Sequence, residues 1–177
     1  MRFAPLAALV AISGLATCAL DVAAAAEPVP ESLAPPAGLK RVLEASAVGV
    51  QIYRCKSPEN AKDASAGAWI LEGPRATLTD QRGEAVARHY AGPTWEAPDG
   101  SKITGKVSAR ADAPEKGAVA WLLLTAQSAG TPGRFDQVRA VQRLYTSGGA
   151  APAAACPHIG ESLEVPYRAM YVFWATQ

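Results

Sequence analysis

Hydrophobic and polar residues alternate with a period of two along much of the chain from Val48 onwards, which is typical of β-strands. After the turn signal Pro98-Asp99-Gly100, apolar or small residues at 103, 105, 107 and 109 alternate with polar residues at 102, 104, 106 and 108. This stretch predicts a strand with one face in water. The run 119–124 is apolar throughout, which predicts a strand buried on both faces.

Shorter alternating runs predict six further strands. They cover residues 48–55, 68–71, 76–79, 85–90, 138–145 and 167–175. The run 138–145 fits helical spacing as well, and we favour a strand because the rest of the chain reads as β. Eight or so short strands without a convincing helix predict an all-β, single-domain antiparallel β-sandwich or barrel, without deciding between the two.

The first 26 residues have the features of an export signal. Arg2 precedes an apolar stretch, and Ala24-Ala25-Ala26 offers a small-residue cleavage site before Glu27. The apolar stretch is shorter than the ~20 residues that a membrane-spanning helix needs. The alternative is a lipoprotein box ending at Cys18, although the threonine before that cysteine is unfavourable. Either reading predicts an exported protein, periplasmic or extracellular, with no transmembrane segment in the mature chain.

Residues 27–47 are rich in proline, with Pro28, Pro30, Pro35 and Pro36 close together. Such a composition favours an extended, polyproline-like tether over a packed element. A short helical turn at 39–43 is the alternative that the spacing of its leucines and valine allows. The predicted organisation is therefore a signal peptide (1–26), a tether (27–47) and a β-domain (48–177).

Removal of the signal would leave two cysteines, Cys55 and Cys156, in a disulfide-permissive compartment. The pair predicts a disulfide that brings the first strand beside the segment before the last one. The alternative is a catalytic or metal-binding thiol, since His158 follows Cys156 closely. A zinc site needs three or four ligands, and the chain has two histidines.

Several chemistries lack their usual motifs in this chain. There is no Gly-rich phosphate loop, dinucleotide fingerprint, Gly-x-Ser-x-Gly elbow or His-Glu-x-x-His pair, so we expect no cofactor and no metal. The formal net charge of +1, without a basic stripe, argues against nucleic acid as a partner.

Two groups of residues are candidates for a site. The first surrounds the 98–100 turn and comprises His89, Trp95, Glu96, Asp99 and Ser101. An imidazole near carboxylates and an indole suits sugar binding or general acid–base work; alternatively, these residues are structural and Asp99 caps its own turn.

The second group is Tyr145 with the hydroxyls and paired glycines that follow it. Paired glycines permit close approach of a ligand, but they more often turn the chain where φ must be positive.

Blocks of residues in a fixed order carry a resemblance to a known family. They are Gln51 to Cys55, His89 to Trp95, Asp99 to Lys102, Gln142 to Gly149, Ala151-Pro152, Cys156 and Val165 to Phe173. Over 48–174 the chain resembles the DUF3455 family, secreted proteins of bacteria and fungi whose function is unknown. The resemblance implies export and leaves the activity open.

Two functional hypotheses follow. The first is an exported β-domain without enzyme activity that binds a small molecule or glycan or acts at the cell envelope. The alternative is a cofactor-free hydrolase or isomerase that uses His89 with Asp99 or Glu96. The two differ in what they need from His89, because a catalytic imidazole must face an open pocket, whereas a structural one is buried with its nitrogens satisfied. The most informative observation is whether His89, Trp95, Asp99 and Tyr145 line one concavity.

Overall fold

The protein is a closed, antiparallel, eight-stranded β-barrel in which each strand pairs with the next and β8 returns to β1. The computed structural model describes residues 27–57 and 67–177. The predicted signal peptide and most of the β1–β2 connection lie outside the described residues. The strands are β1 (Lys40–Lys56), β2 (Ala68–Thr79), β3 (Ala85–Tyr90), β4 (Thr94–Glu96), β5 (Lys102–Ala111), β6 (Trp121–Ser128), β7 (Val138–Gly148) and β8 (Ser162–Ala175), preceded by a 3-10 turn (Glu31–Leu33).

The all-β prediction is confirmed, and the barrel is the alternative that the structure adopts. The ambiguous run at 138–145 is a strand, as predicted. Its side chains alternate between two environments: Val141 packs in the barrel interior, whereas Ala140 and Leu144 pack on the outer wall. A helix would have placed Val141 and Leu144 on one face, so the helical spacing was coincidental.

The segment Ala68–Thr79 is one strand, and the prediction of two strands separated by Gly73-Pro74 is wrong. Tyr53 pairs with Leu71 and Ile52 pairs with Gly73, so Glu72 is an extra residue without a partner in the register. This is a β-bulge, which bends the strand without ending it. Glycine and proline are typical of turns and are also common at bulges, so this pair in the sequence does not decide between the two.

The first half of β6 confirms the prediction of a strand that is buried on both faces, although β6 begins at Trp121 rather than at 119 and continues through the mostly polar residues 125–128. Leu122 and Leu124 belong to the interior cluster, where Phe135 stacks on Phe173 with ring centroids 4.9 Å apart. Trp121 and Leu123 belong to a second cluster on the outer wall. This half of the strand is apolar at successive positions because both its faces are covered.

The N-terminal segment 28–39, which we call the strap, packs on the outer wall and covers the second cluster. Leu33 is fully buried, and its carbonyl oxygen accepts a hydrogen bond of 2.6 Å from the Gln142 amide. The Trp174 indole donates to the same amide's oxygen at 2.8 Å. The expectation of a tether over 27–47 is therefore corrected: its first part packs on the barrel, and its last part, from Lys40, is β1.

β1 also replaces the helical turn considered at 39–43. Ala45 and Ala47 point into the barrel and are almost fully buried. β1 pairs with β8 over nearly its whole length, from Lys40–Ala175 to Arg54–Ser162, and this pairing closes the barrel.

The predicted disulfide is present. Cys55 and Cys156 are bonded with their Cα atoms 5.8 Å apart, joining the end of β1 to the β7–β8 connection as expected. The Gly67 backbone lies against both sulfur atoms, and its carbonyl oxygen accepts a hydrogen bond from the Cys156 backbone N–H. We call this end of the barrel, where the β1–β2, β5–β6 and β7–β8 connections gather, the upper end.

Candidate functional site

The barrel wall has a notch on one side of its upper half. β3 and β4 are short, so β3 pairs only with residues 76–79 of β2, and β4 pairs only with residues 102–104 of β5. Among the described strands, 68–75 of β2 and 105–111 of β5 have no partner on the sides that face each other. The gap between them is an opening into the barrel.

The β3–β4 turn forms the lower lip of this notch. Gly73, at the β2 bulge, has φ of 153°, and a Cβ atom there would lie 2.7 Å from the Cβ of Ala91 in the turn. Glycine is required because the backbone of the turn approaches this closely. The bulge therefore seats the turn and fixes the position of the opening.

A cavity of about 350 Å³ lies behind the notch. This volume is near the lower end of the range of about 300–1,000 Å³ that small-molecule sites occupy. Trp95, Leu122 and Leu124 form an apolar wall, and Leu71 and Val107, each 49% exposed, lie at the rim. The enclosed volume suits a compact molecule with an apolar part.

Buried polar groups face this cavity without a partner. Gln51 is fully buried, and neither its amide oxygen nor its amide nitrogen has a hydrogen-bond partner among the described residues. The Tyr171 hydroxyl and the Trp95 indole N–H, also lining the cavity, are in the same situation. Each such group costs about 1–3 kcal/mol if it stays unsatisfied, so native proteins usually supply a protein group, water or ligand as partner.

His89 lies in this cavity beside Trp95, its direct partner across β3 and β4. The two rings stack with centroids 4.4 Å apart and planes 7° apart. Nδ1 lies 2.8 Å from the Thr94 carbonyl oxygen, which assigns the proton to Nδ1 in the neutral ring. No hydrogen bond joins Nε2 to a described residue, so Nε2 is an acceptor available to the cavity.

Burial lowers the pKa of His89 to about 4, which the bond to Thr94 opposes and the nearby Arg143 charge reinforces. The ring is therefore neutral at pH 7.

Two arginines lie at the upper side of the cavity. In the register, Arg110 of β5 is opposite Leu122 of β6, and Leu122 is opposite Arg143 of β7. Both arginines line the cavity. Arg143 donates from Nε and Nη2 to the Ala120 carbonyl oxygen at 3.0 and 2.9 Å, which holds its side chain in place.

Arg143 lies close to the buried phenols of Tyr167 and Tyr171. Burial raises the pKa of both hydroxyls, and the positive charge of Arg143 opposes that rise. Although Arg143 and the two hydroxyls are neighbours, neither hydroxyl has a partner at hydrogen-bonding geometry within the described part of the chain. These phenols stay protonated and keep a hydrogen to donate.

Asp99 and Ser101 are not in the cavity; they build the β4–β5 turn at the lower end. Asp99 accepts hydrogen bonds from the Ser101 hydroxyl at 2.6 Å and from the backbone N–H groups of Ser101 and Arg134. These bonds, the hydroxyl first, lower the pKa of Asp99 to about 2. Ser101 in turn accepts from the Phe135 N–H. Both side chains are engaged in tying two loops together.

Glu96 is on the outer wall, where it contacts Arg88, Lys102 and the Tyr90 hydroxyl. Alternation places it opposite to its neighbour Trp95, which points inward. His89 thus has neither of the two carboxylates that the hydrolase hypothesis required.

Tyr145 is also outside the cavity, 42% exposed and edge-on to Trp121. The glycines that follow, Gly148 and Gly149, have φ of 65° and 88°. A Cβ on Gly149 would lie 2.7 Å from the Cβ of Tyr167. Here the paired glycines turn the chain over the upper end of the barrel.

Of the candidate residues, His89 and Trp95 line the cavity, and Asp99, Ser101 and Tyr145 do not. Sequence reasoning missed Gln51, Arg110, Arg143 and Tyr171. A signal was present for Arg143, which shares the inward face of Val141 in an alternating strand, where a charged residue is unusual. None was present for Arg110, which continues the polar positions of β5 in the sequence and faces inward only because the register shifts between Val107 and Ala109. Within the described residues, no cluster of three potential metal ligands exists, and no helix is long and apolar enough to cross a membrane.

The fold and the cavity define a small closed β-barrel with a laterally open, partly polar interior. The family model described as "Protein of unknown function (DUF3455)" matches residues 35–175, and the chain belongs to this family. The match confirms the resemblance and extends it upstream to include the end of the strap. No curated protein and no solved structure matches the chain.

The buried His89 predicts that stability falls with acidification below pH 6.5. Its pKa is about 4 in the folded protein against 6.5 in the unfolded chain, so between these values the unfolded chain binds the extra proton. The stability that the neutral ring of His89 contributes is fully present above pH 6.5 and is lost as the pH falls through 4. At about 1.4 kcal/mol per pH unit, the loss approaches ~3 kcal/mol. Urea denaturation at a series of pH values measures it.

His89→Asn is the matched control, because an asparagine amide can replace the Nδ1 donor to Thr94 without titrating. We expect the variant to have a flatter stability profile between pH 6.5 and 4.5 than the wild type. Parallel profiles would show that His89 does not have a depressed pKa.

Proposed function

We propose that this protein is exported and binds a small molecule in the notched cavity without transforming it. The observation that carries the proposal is the fully buried Gln51, whose amide faces the cavity with both its oxygen and its nitrogen unpartnered. A glutamine in an apolar barrel costs stability unless something bonds it. A ligand that reaches it through the notch would recover that cost.

The position of the carboxylates favours binding over hydrolysis or isomerisation. General acid–base work by His89 needs a second group that orients or assists the ring within reach of the same substrate. Asp99 and Glu96 are both held in contacts elsewhere, and Glu72, the carboxylate of the cavity lining, is held by Arg54. The ring of His89 is itself stacked and hydrogen-bonded, as suits one wall of a binding site.

The enclosure of Trp95 favours a small molecule over a glycan. A carbohydrate platform presents an aromatic face to solvent, whereas Trp95 is 1% exposed and lies between His89 and the edges of Tyr171 and Phe173. A molecule that contacts it must enter the barrel.

Export is supported by the disulfide. Cys55 and Cys156 are bonded, and such bonds persist in oxidising compartments such as the periplasm and the extracellular space. This agrees with the signal sequence predicted over 1–26, and an exported protein would meet its ligand outside the cytoplasm.

Blocking the notch tests the proposal. Val107 lies at the rim and is half-exposed, so Val107→Trp should obstruct the opening at little cost to folding. We expect this variant to bind phenylnaphthylamine, an uncharged fluorescent probe, at least about tenfold more weakly than the wild type. Fluorescence titration gives the dissociation constants.

Val48→Trp is the matched control, since Val48 is a similarly exposed valine (58%) that is not part of the cavity lining. It should bind the probe as the wild type does. If Val107→Trp and Val48→Trp bind the probe with equal affinity, the probe binds outside the cavity. If the wild type does not bind the probe at all, that result also counts against a binding cavity.

A further inference from the structure

We propose that the ligand is an organic anion whose charged head binds between Arg110 and Arg143 while its compact apolar body lies against Trp95 and Leu124. This inference rests on the proposed binding function and names the chemical class of the ligand. It comes from the arrangement of charge around the opening.

The strand register brings the two arginines together. Arg110, Leu122 and Arg143 are neighbours across β5, β6 and β7, and all three line the cavity. Adjacent strands are about 4.7–4.9 Å apart, so the two arginine backbones are separated by roughly 10 Å. Long side chains on such backbones can reach one group placed above Leu122. A guanidinium donates in a planar fork that matches carboxylate and other oxyanions.

The positive charge at the opening is not balanced by protein groups. Among the described residues, no ion pair involves Arg110 or Arg143, and the contacts of Arg143 to Ala120 leave some of its N–H donors free. One carboxylate, Glu72, lines the cavity, and it is held by Arg54 through two hydrogen bonds of 3.2 Å. An anionic ligand would supply the missing negative charge.

The rest of the cavity sets the other features of the ligand. Trp95, Leu122 and Leu124 offer apolar surface next to the arginines, while the amide of Gln51 and the hydroxyl of Tyr171 are buried. A molecule of about 350 Å³ or less would fit. We therefore expect a small, mainly apolar acid with a second hydrogen-bonding group away from its charge. A long lipid chain exceeds this space.

Two fluorescent probes that differ in charge test the inference. Anilinonaphthalene sulfonate carries a sulfonate that phenylnaphthylamine lacks, and we expect the wild type to bind the anionic probe more tightly. Arg110→Gln and Arg143→Gln should each lower the ratio of the affinity for the anionic probe to the affinity for the neutral probe by about tenfold, the usual effect of losing a charge-assisted hydrogen bond.

Arg168→Gln is the matched control. Arg168 is an exposed arginine of β8 that is not part of the cavity lining, and its loss should change neither dissociation constant. Arg110 is exposed, so its variant tests the inference even if Arg143→Gln folds poorly.

The outcomes separate the two proposals. Suppose that the wild type binds the neutral probe as tightly as the anionic one and that Val107→Trp weakens this binding. The proposal that the ligand is an anion would then be overturned, and the proposed binding function would remain. An anion preference that survives both arginine variants would do the same. Absence of both probes from the wild-type cavity would overturn the binding function itself.

Discussion

Replacing Cys55 and Cys156 together with serine is expected to lower the free energy of unfolding by about 2–5 kcal/mol. The bond joins residues 101 positions apart, and a crosslink over so long a loop removes much of the entropy of the unfolded chain. It also holds the upper end of the barrel, where Cys156 donates a backbone hydrogen bond to Gly67 and Cys55 accepts one from Gly160.

Chemical denaturation of the double variant beside the oxidised wild type measures this loss. The wild type with its disulfide reduced is the control, and we expect it to match the variant. A loss below about 1 kcal/mol would mean that the unfolded chain is already restricted at these positions, contrary to the entropic argument.

The fold class was predictable because each strand carries its own evidence. A strand with one wet face alternates in sequence whatever its neighbours are, and β5 shows that pattern clearly. The first half of β6 was identified by the opposite pattern, since residues 121–124 are all apolar. The choice between a sandwich and a barrel depends on whether β8 pairs with β1, which is a long-range contact without a local signal.

The start of β1 was missed for a specific physical reason. Its inward residues before Val48 are Leu43 and the small side chains Ala45 and Ala47, which give little hydrophobic contrast. The prolines upstream suggested a free tether, but an extended segment can also pack as a strap. The fixed φ of proline is compatible with both.

The candidate site was half predictable. The sequence could group His89 with Trp95 because they are close in sequence, and they line the cavity as direct partners across a short hairpin. Gln51, Arg143 and Tyr171 are separated by most of the chain and come together only when the barrel closes. Asp99 lies outside the cavity: turn chemistry and catalytic chemistry use the same residue type, and here its bonds to Ser101 belong to the turn.

The strap and the cavity share one section of wall. Leu122 and Leu124 of β6 face the cavity, while Trp121 and Leu123 of the same strand lie in the cluster around Leu33. The strands on either side, β5 and β7, carry the two arginines inward and place Ala109 and Leu144 in that cluster. Packing of the strap therefore supports the wall on which the proposed anion site is built.

Leu33→Ala is accordingly expected to lower the free energy of unfolding by about 2–5 kcal/mol, through lost transfer energy and the cavity left behind. Leu33 is fully buried, and Gln142 bonds its carbonyl oxygen, so the strap has little freedom to move into the space. Urea denaturation measures the loss. Val42→Ala is the control: Val42 is 54% exposed, and its truncation should change stability by no more than about 0.5 kcal/mol. A Leu33→Ala variant as stable as this control would show that the strap is not packed on the barrel in solution, because an unpacked leucine has no burial to lose.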